Sequence, residues 1–126
     1  MTCFAEMLVT QKADSKHRLD KIHDIVRWKR FGYRLEKVLK RSELGPTGYP
    51  PLNLFKALVL QNLYGLSDPE MEDMLYDRLS FRRFCGFSLT EKMPDETTIC
   101  RFRSALQGHT EKLLSMVNQY IESQYS

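Results

Sequence analysis

The chain has 126 residues with a net charge of +3, of which 42% are hydrophobic and 28% charged. That length supports one domain with a real core and is too short for two ordinary ones, and the composition excludes a disordered chain. No apolar run approaches the ~20 residues a membrane helix needs, and the opening "MTCFAEMLVTQKADSK" lacks the basic-then-apolar layout of a secretory signal.

The three cysteines, Cys3, Cys85 and Cys100, form no CxxC pair and read as reduced thiols, which predicts a cytoplasmic protein. Charge is unevenly spread. Residues 1–49 carry 11 Lys+Arg against 6 Asp+Glu, and residues 50–126 carry 8 against 10. Between Lys16 and Arg41 ten basic residues face only Asp20, Asp24 and Glu36. Such a segment either attracts a polyanion or is a solvated helix face.

The periodicity is helical nearly throughout. "HRLDKIHDIVRWKRF" places Leu19, Ile22, Ile25 or Val26 and Lys29 on one stripe, with a weak point expected at Gly32. "YRLEKVLKRSELG" resumes with Leu35, Val38 and Leu39. "GPTGYPP" (45–51) cannot continue a helix, and Pro51 suits the first turn of the next.

That next helix, "LNLFKALVLQNLYGL", is apolar on almost every side and should be the buried centre, ending at Gly65. Ser67 and Glu70 form a capping box for an acidic helix that includes Asp68, Glu72 and Asp73. "SFRRFCGF" predicts a short helix capped by Ser80 and ended by Gly86, with Phe81, Phe84 and Phe87 inward. Asp95 caps a helix from Glu96 to Gln107, ended by Gly108. A last amphipathic helix carries Leu113, Leu114, Val117, Tyr120, Ile121 and Tyr125. No strand, repeat or low-complexity tract is expected, so the fold class is all-α: a compact helical bundle containing a helix-turn-helix-like arrangement. The predicted core is Leu54, Phe55, Leu58, Val59, Leu63, Phe81, Phe84, Ile99 and Phe102.

Catalytic patterns are weak. Glu70, Asp73 and Asp77 share a helix face, as a Mg²⁺ or acid-base site would require, but first-turn and surface acids have the same spacing. His17 and His23 are not spaced for one zinc, and no phosphate loop, GxSxG or HExxH occurs. "ETTICRFRSAL" is more suggestive. Ile99, Phe102 and Leu106 turn inward, leaving Thr97, Thr98, Arg101 and Ser104 or Gln107 outward. Hydroxyls and an arginine at a helix N-terminus suit phosphate and base-edge contacts, and a surface helix with a salt-bridging arginine looks the same.

"YPPLNLFKALVLQNLYGLSDPEMEDMLYDRLSFRRFCGFSL" followed by "PDETTICRFRSAL" resembles the amino-terminal domain of bacterial insertion-sequence transposases of the insertion-sequence-five type. The matching motifs are Pro50–Pro51, Tyr64–Asp68, Asp77–Phe84 with Gly86, and Pro94–Asp95 with Thr97, Thr98 and Arg101–Arg103, over roughly residues 45–108. The resemblance implies DNA transposition and recombination by a mobile element, through double-stranded DNA at the terminal inverted repeats. It also implies a DDE catalytic domain with an RNase H-like fold and two divalent metals, which is expected beyond Ser126. This chain is accordingly expected to be non-enzymatic and to need no cofactor.

The expected organisation is a basic helical leader, 1–44, packed as one unit with a DNA-binding domain, 45–126. Residues Thr97, Thr98, Arg101, Arg103 and Ser104 are the expected reading surface. Arg82, Arg83, Arg27, Lys29, Arg30 and Arg34 are expected at the DNA backbone. The acidic helix is expected to face away from the duplex. An apolar strip of Leu114, Val117, Ile121 and Tyr125 is expected to favour a homodimer.

Overall fold

A computed structural model describes residues 18–42 and 44–125; the expectations for Cys3, Lys16, His17 and the Tyr125 side chain fall outside what is described. The helices are α1 (Arg18–Ile25), α2 (Trp28–Leu39), α3 (Pro51–Tyr64), α4 (Asp68–Asp77), α5 (Leu79–Cys85), α6 (Glu96–Ala105) and α7 (Thr110–Tyr125). The described residues contain no strand, and the all-α expectation holds.

Helix α3 is the centre because its sequence offers no wholly polar side. Leu54 to Gln61 are buried without interruption, and α3 packs against α2, α4, α5, α6 and α7. Pro51 opens it, and Gly65 closes it in the left-handed region at φ 64°, where a side chain is disfavoured. Every predicted core residue is buried except Leu63, which is only partly covered.

One apolar cluster runs from Leu19 to Val117, so the basic leader's helices belong to the same core as the rest. The Phe31 ring of α2 stacks on Phe55 of α3 at 5.3 Å between centroids. The chain breaks between α1 and α2 at Val26–Arg27, and not at Gly32, which lies inside α2. Trp28 explains the difference: its buried indole donates from Nε1 to the His23 carbonyl at 2.9 Å, turning the chain one helix earlier. Lys29, expected on the inward stripe, is exposed as a result.

Local signals set the other ends. Both hydrogen bonds of the Ser67–Glu70 capping box form. Ser80 does not cap α5 but lies inside it: the helix begins at Leu79, two residues earlier than that cap implies, with Arg78 as its unassisted cap. Helix α6 stops at Ala105; Gln107 (φ 51°) and Gly108 (φ 85°) are both left-handed, so the turn starts before the predicted end.

The residues entering α6 run from 86 to 95, longer than the 3–4-residue turn of a helix-turn-helix, and α6 packs on α4 and α3. The arrangement of that motif is therefore not established. The apolar strip expected on α7 is largely covered: Val117 is 1% exposed, and Leu114 and Ile121 pack on the core. Among the described residues the large apolar side chains most exposed are Leu79 and Leu89 instead.

Candidate nucleic-acid interface

Helix α6 presents its faces as its spacing predicts. Ile99, Phe102 and Ala105 are buried, while Thr97, Arg101 and Ser104 are exposed. Its N-terminus, however, is occupied by acids. The Asp95 carboxylate accepts the Thr98 N–H at 2.8 Å, and Glu72 of α4 accepts the Glu96 N–H at 2.6 Å. The Thr98 backbone and hydroxyl, with Lys92 and Arg101 beyond them, hold the Asp95 carboxyl below its ordinary value. Three carboxylates (Glu72, Asp95, Glu96) therefore surround the end where a phosphate was expected, and Thr98 serves as part of the cap. The acidic helix α4 does not stand apart from this surface either, since it packs directly on α6.

The C-terminal half of α6 is open instead. Arg101, Ser104 and Gln107 line a cleft of about 600 Å³ together with Arg41 and Ser42 from the end of α2. Gln107 Nε2 donates to the Arg41 carbonyl at 3.4 Å, tying the two walls together. Arg41 and Arg101 are exposed, and neither has an ion-pair partner among the described residues.

The other arginines separate by role. Arg103 lies on the opposite side of α6 and is half-buried. It donates to Asp68 from Nη1 at 3.0 Å and to Gln61 Oε1 from Nη2 at 2.8 Å, while Gln61 Nε2 donates to Asp68 Oδ1 at 2.7 Å. The Arg103 hydrogen bond pulls the Asp68 carboxyl below the usual range, and Asp68 raises the guanidinium in turn. This arginine joins α6 to α3 and α4, so its guanidinium already has a structural role.

Arg82 donates to three carbonyls, Leu75 at 2.7 Å, Leu89 at 2.9 Å and Tyr76 at 3.2 Å, so it fastens the end of α4 to the loop after α5. Arg83 pairs with Asp20 at 3.1 and 3.3 Å, joining α5 to α1, although it stays 59% exposed. Arg27, Lys29, Arg30 and Arg34 are all exposed on or beside α2. Of these, Arg30 and Arg34 turn into a second cleft with Lys37 and with His109 and Lys112 of the α7 start. The sequence signal for Lys37 and Arg41 was helical spacing, with Lys37 three residues after Arg34 and Arg41 four after Lys37. His109 and Lys112 have no such signal, because only tertiary packing brings them there.

Nucleophilic and metal chemistry finds no equivalent setting. Among the described residues no three His, Cys, Asp or Glu side chains are grouped to hold a metal ion. The most unusual ionisable pair is structural. Lys56 is 8% exposed, with Nζ 2.9 Å from His23 Nε2 and 5.1 Å above the Trp28 ring. An ammonium there donates to a neutral imidazole, and the aromatic face compensates part of its lost hydration. Burial lowers the pKa of both groups, and the neighbouring Lys56 charge lowers that of His23 further. Burial also pushes the Cys85 thiol far above its ordinary range, so it is not a nucleophile at neutral pH.

No helix among the described residues is long and apolar enough to cross a membrane. No solved structure matches the chain. Residues 8–105 match the family described as Transposase domain (DUF772). That match spans most of the 126 residues, and with the motifs from Pro50 to Arg103 it makes the chain a member of this transposase-domain family.

Proposed function

We propose that this chain is the DNA-binding and assembly portion of an insertion-sequence transposase, engaging double-stranded transposon-end DNA while cutting and joining are carried out by a separate catalytic domain. The observation that carries the reading is the pair of exposed guanidinium groups, Arg41 and Arg101, without an ion-pair partner among the described residues and lining one cleft with Ser104 and Gln107. Arginine grips guanine or phosphate through two N–H groups, and a hydroxyl and an amide beside it add short-range selection. Membership of the transposase-domain family supports the same assignment. Exposed Arg27 and Lys29 supply backbone attraction without base discrimination.

The test compares inverted-repeat DNA with random duplex across a salt titration. Arg101→Ala is expected to weaken inverted-repeat binding by about 1–3 kcal/mol and random duplex much less. Arg27→Ala with Lys29→Ala is expected to weaken both duplexes alike and flatten the salt slope. Equal losses on both duplexes from Arg101→Ala would remove the base-reading role.

A further inference from the structure

We infer that the cleft between α2 and the first turn of α7 binds one nucleotide of an unpaired DNA strand, its phosphate among Arg30, Arg34, Lys37 and Lys112 and its base against Tyr33. This goes beyond duplex recognition, and the cleft shares no lining residue with the α6 cleft. Positions 30, 33, 34 and 37 fall at three- and four-residue steps, so one face of α2 presents three cations around one aromatic ring. His109 and Lys112 close the opposite wall.

The cations are available. Arg34, Lys37 and Lys112 have no ion-pair partner among the described residues. Arg30 is held from Nη1 by the Tyr120 hydroxyl at 2.9 Å, a contact that orients its guanidinium without neutralising it. Glu36 and Glu111 sit on the same helices but do not line the cleft. Four like charges converging on one recess repel each other, and a phosphate relieves that repulsion.

Size and Tyr33 narrow the ligand. The recess is about 470 Å³, the scale of a small-molecule or single-nucleotide site. A base pair inside a duplex cannot enter such a recess, whereas a nucleotide that has left the stack can. Tyr33 is 58% exposed, which a buried-core role does not explain. An exposed aromatic ring among cations is the combination that holds single strands, by stacking a base beside a captured backbone.

Fluorescence anisotropy with three probes tests this: a blunt duplex, the same duplex carrying a thymidine overhang, and an oligothymidine. Wild-type protein is expected to bind the overhang duplex more tightly than the blunt one. Tyr33→Ala should erase that gain and weaken oligothymidine binding by about 5- to 150-fold, leaving blunt duplex binding and the thermal midpoint unchanged. Tyr33→Trp should restore the gain, and Lys112→Ala should reduce the salt dependence of oligothymidine binding. The inference is overturned if the overhang gives no gain, or if the gain survives both Tyr33→Ala and Lys112→Ala. Tyrosine-dependent oligothymidine binding without blunt-duplex binding would instead sink the duplex reading and leave this one standing.

Discussion

Glu72 of α4 accepts the backbone N–H of Glu96, the first residue of α6, at 2.6 Å. A carboxylate from one helix thus completes the cap of another, satisfying a donor that α6 cannot satisfy by itself. Glu72→Ala is expected to lower stability by about 0.5–2 kcal/mol, the range for losing a cap. Glu72→Gln keeps an acceptor oxygen and should lose less. Urea unfolding of the two variants measures the difference; equal losses would mean the cap needs the charge itself.

Arg103 and Asp68 form the second tie between the same two helices, with Gln61 of α3 bridging them. Removing either partner strands the other in a half-covered site, so Arg103→Ala and Asp68→Ala should each cost about 1–3 kcal/mol. Because the two share one interaction, the double variant should cost less than the sum. Since the folded-state pKa of Asp68 is depressed, its contribution is present above pH 3.8 and is lost as pH falls through the folded value. A double-mutant cycle by chemical denaturation checks the coupling, and strict additivity would refute it.

The Lys56–His23 pair makes stability sensitive to mild acid. Burial first, then Lys56, lowers the His23 pKa below 6.5 in the folded state. Above that pH the imidazole is neutral whether folded or not. Below it the unfolded chain takes up a proton that the folded chain resists, so stability falls with pH until the folded value is passed. His23→Gln keeps an acceptor for Lys56 and should flatten this fall between neutral pH and about pH 5. Denaturation midpoints for both proteins at the two pH values decide it, and parallel declines would place the sensitivity elsewhere.

Leu58, 2% exposed on the central helix, should cost about 2–5 kcal/mol when cut to alanine. A loss below ~1 kcal/mol would be inconsistent with α3 as the buried centre.

Local chemistry made much of this fold readable in advance. Pro51, Gly65, the Ser67–Glu70 box and Asp95 act within a few residues of themselves, and each sits where its spacing predicted. Effects between distant segments were not readable. Trp28 moved a helix boundary because its indole reaches back to His23, and Gly32 could not reveal that. At the candidate site, Arg101 and Arg103 differ by two residues and look alike in sequence, yet Asp68 claims one and leaves the other open. Arg82 was equally ambiguous until its three carbonyl partners were placed around it. Which arginines are free depends on the tertiary neighbours, which periodicity does not encode.

The flat contact of Phe31 on Phe55 decides what truncation experiments on this protein can report. The charge-rich helix that carries Phe31 shares its ring with the centre of the core, so it is not a detachable arm. Shortening the chain from its amino end past α2 would open a hole beside α3 and melt the remainder. A loss of the proposed DNA affinity would then follow whether or not those lysines and arginines ever touch DNA. Point charge reversals on the outer face of α2, with the aromatic stack left intact, are the variants that separate electrostatics from collapse.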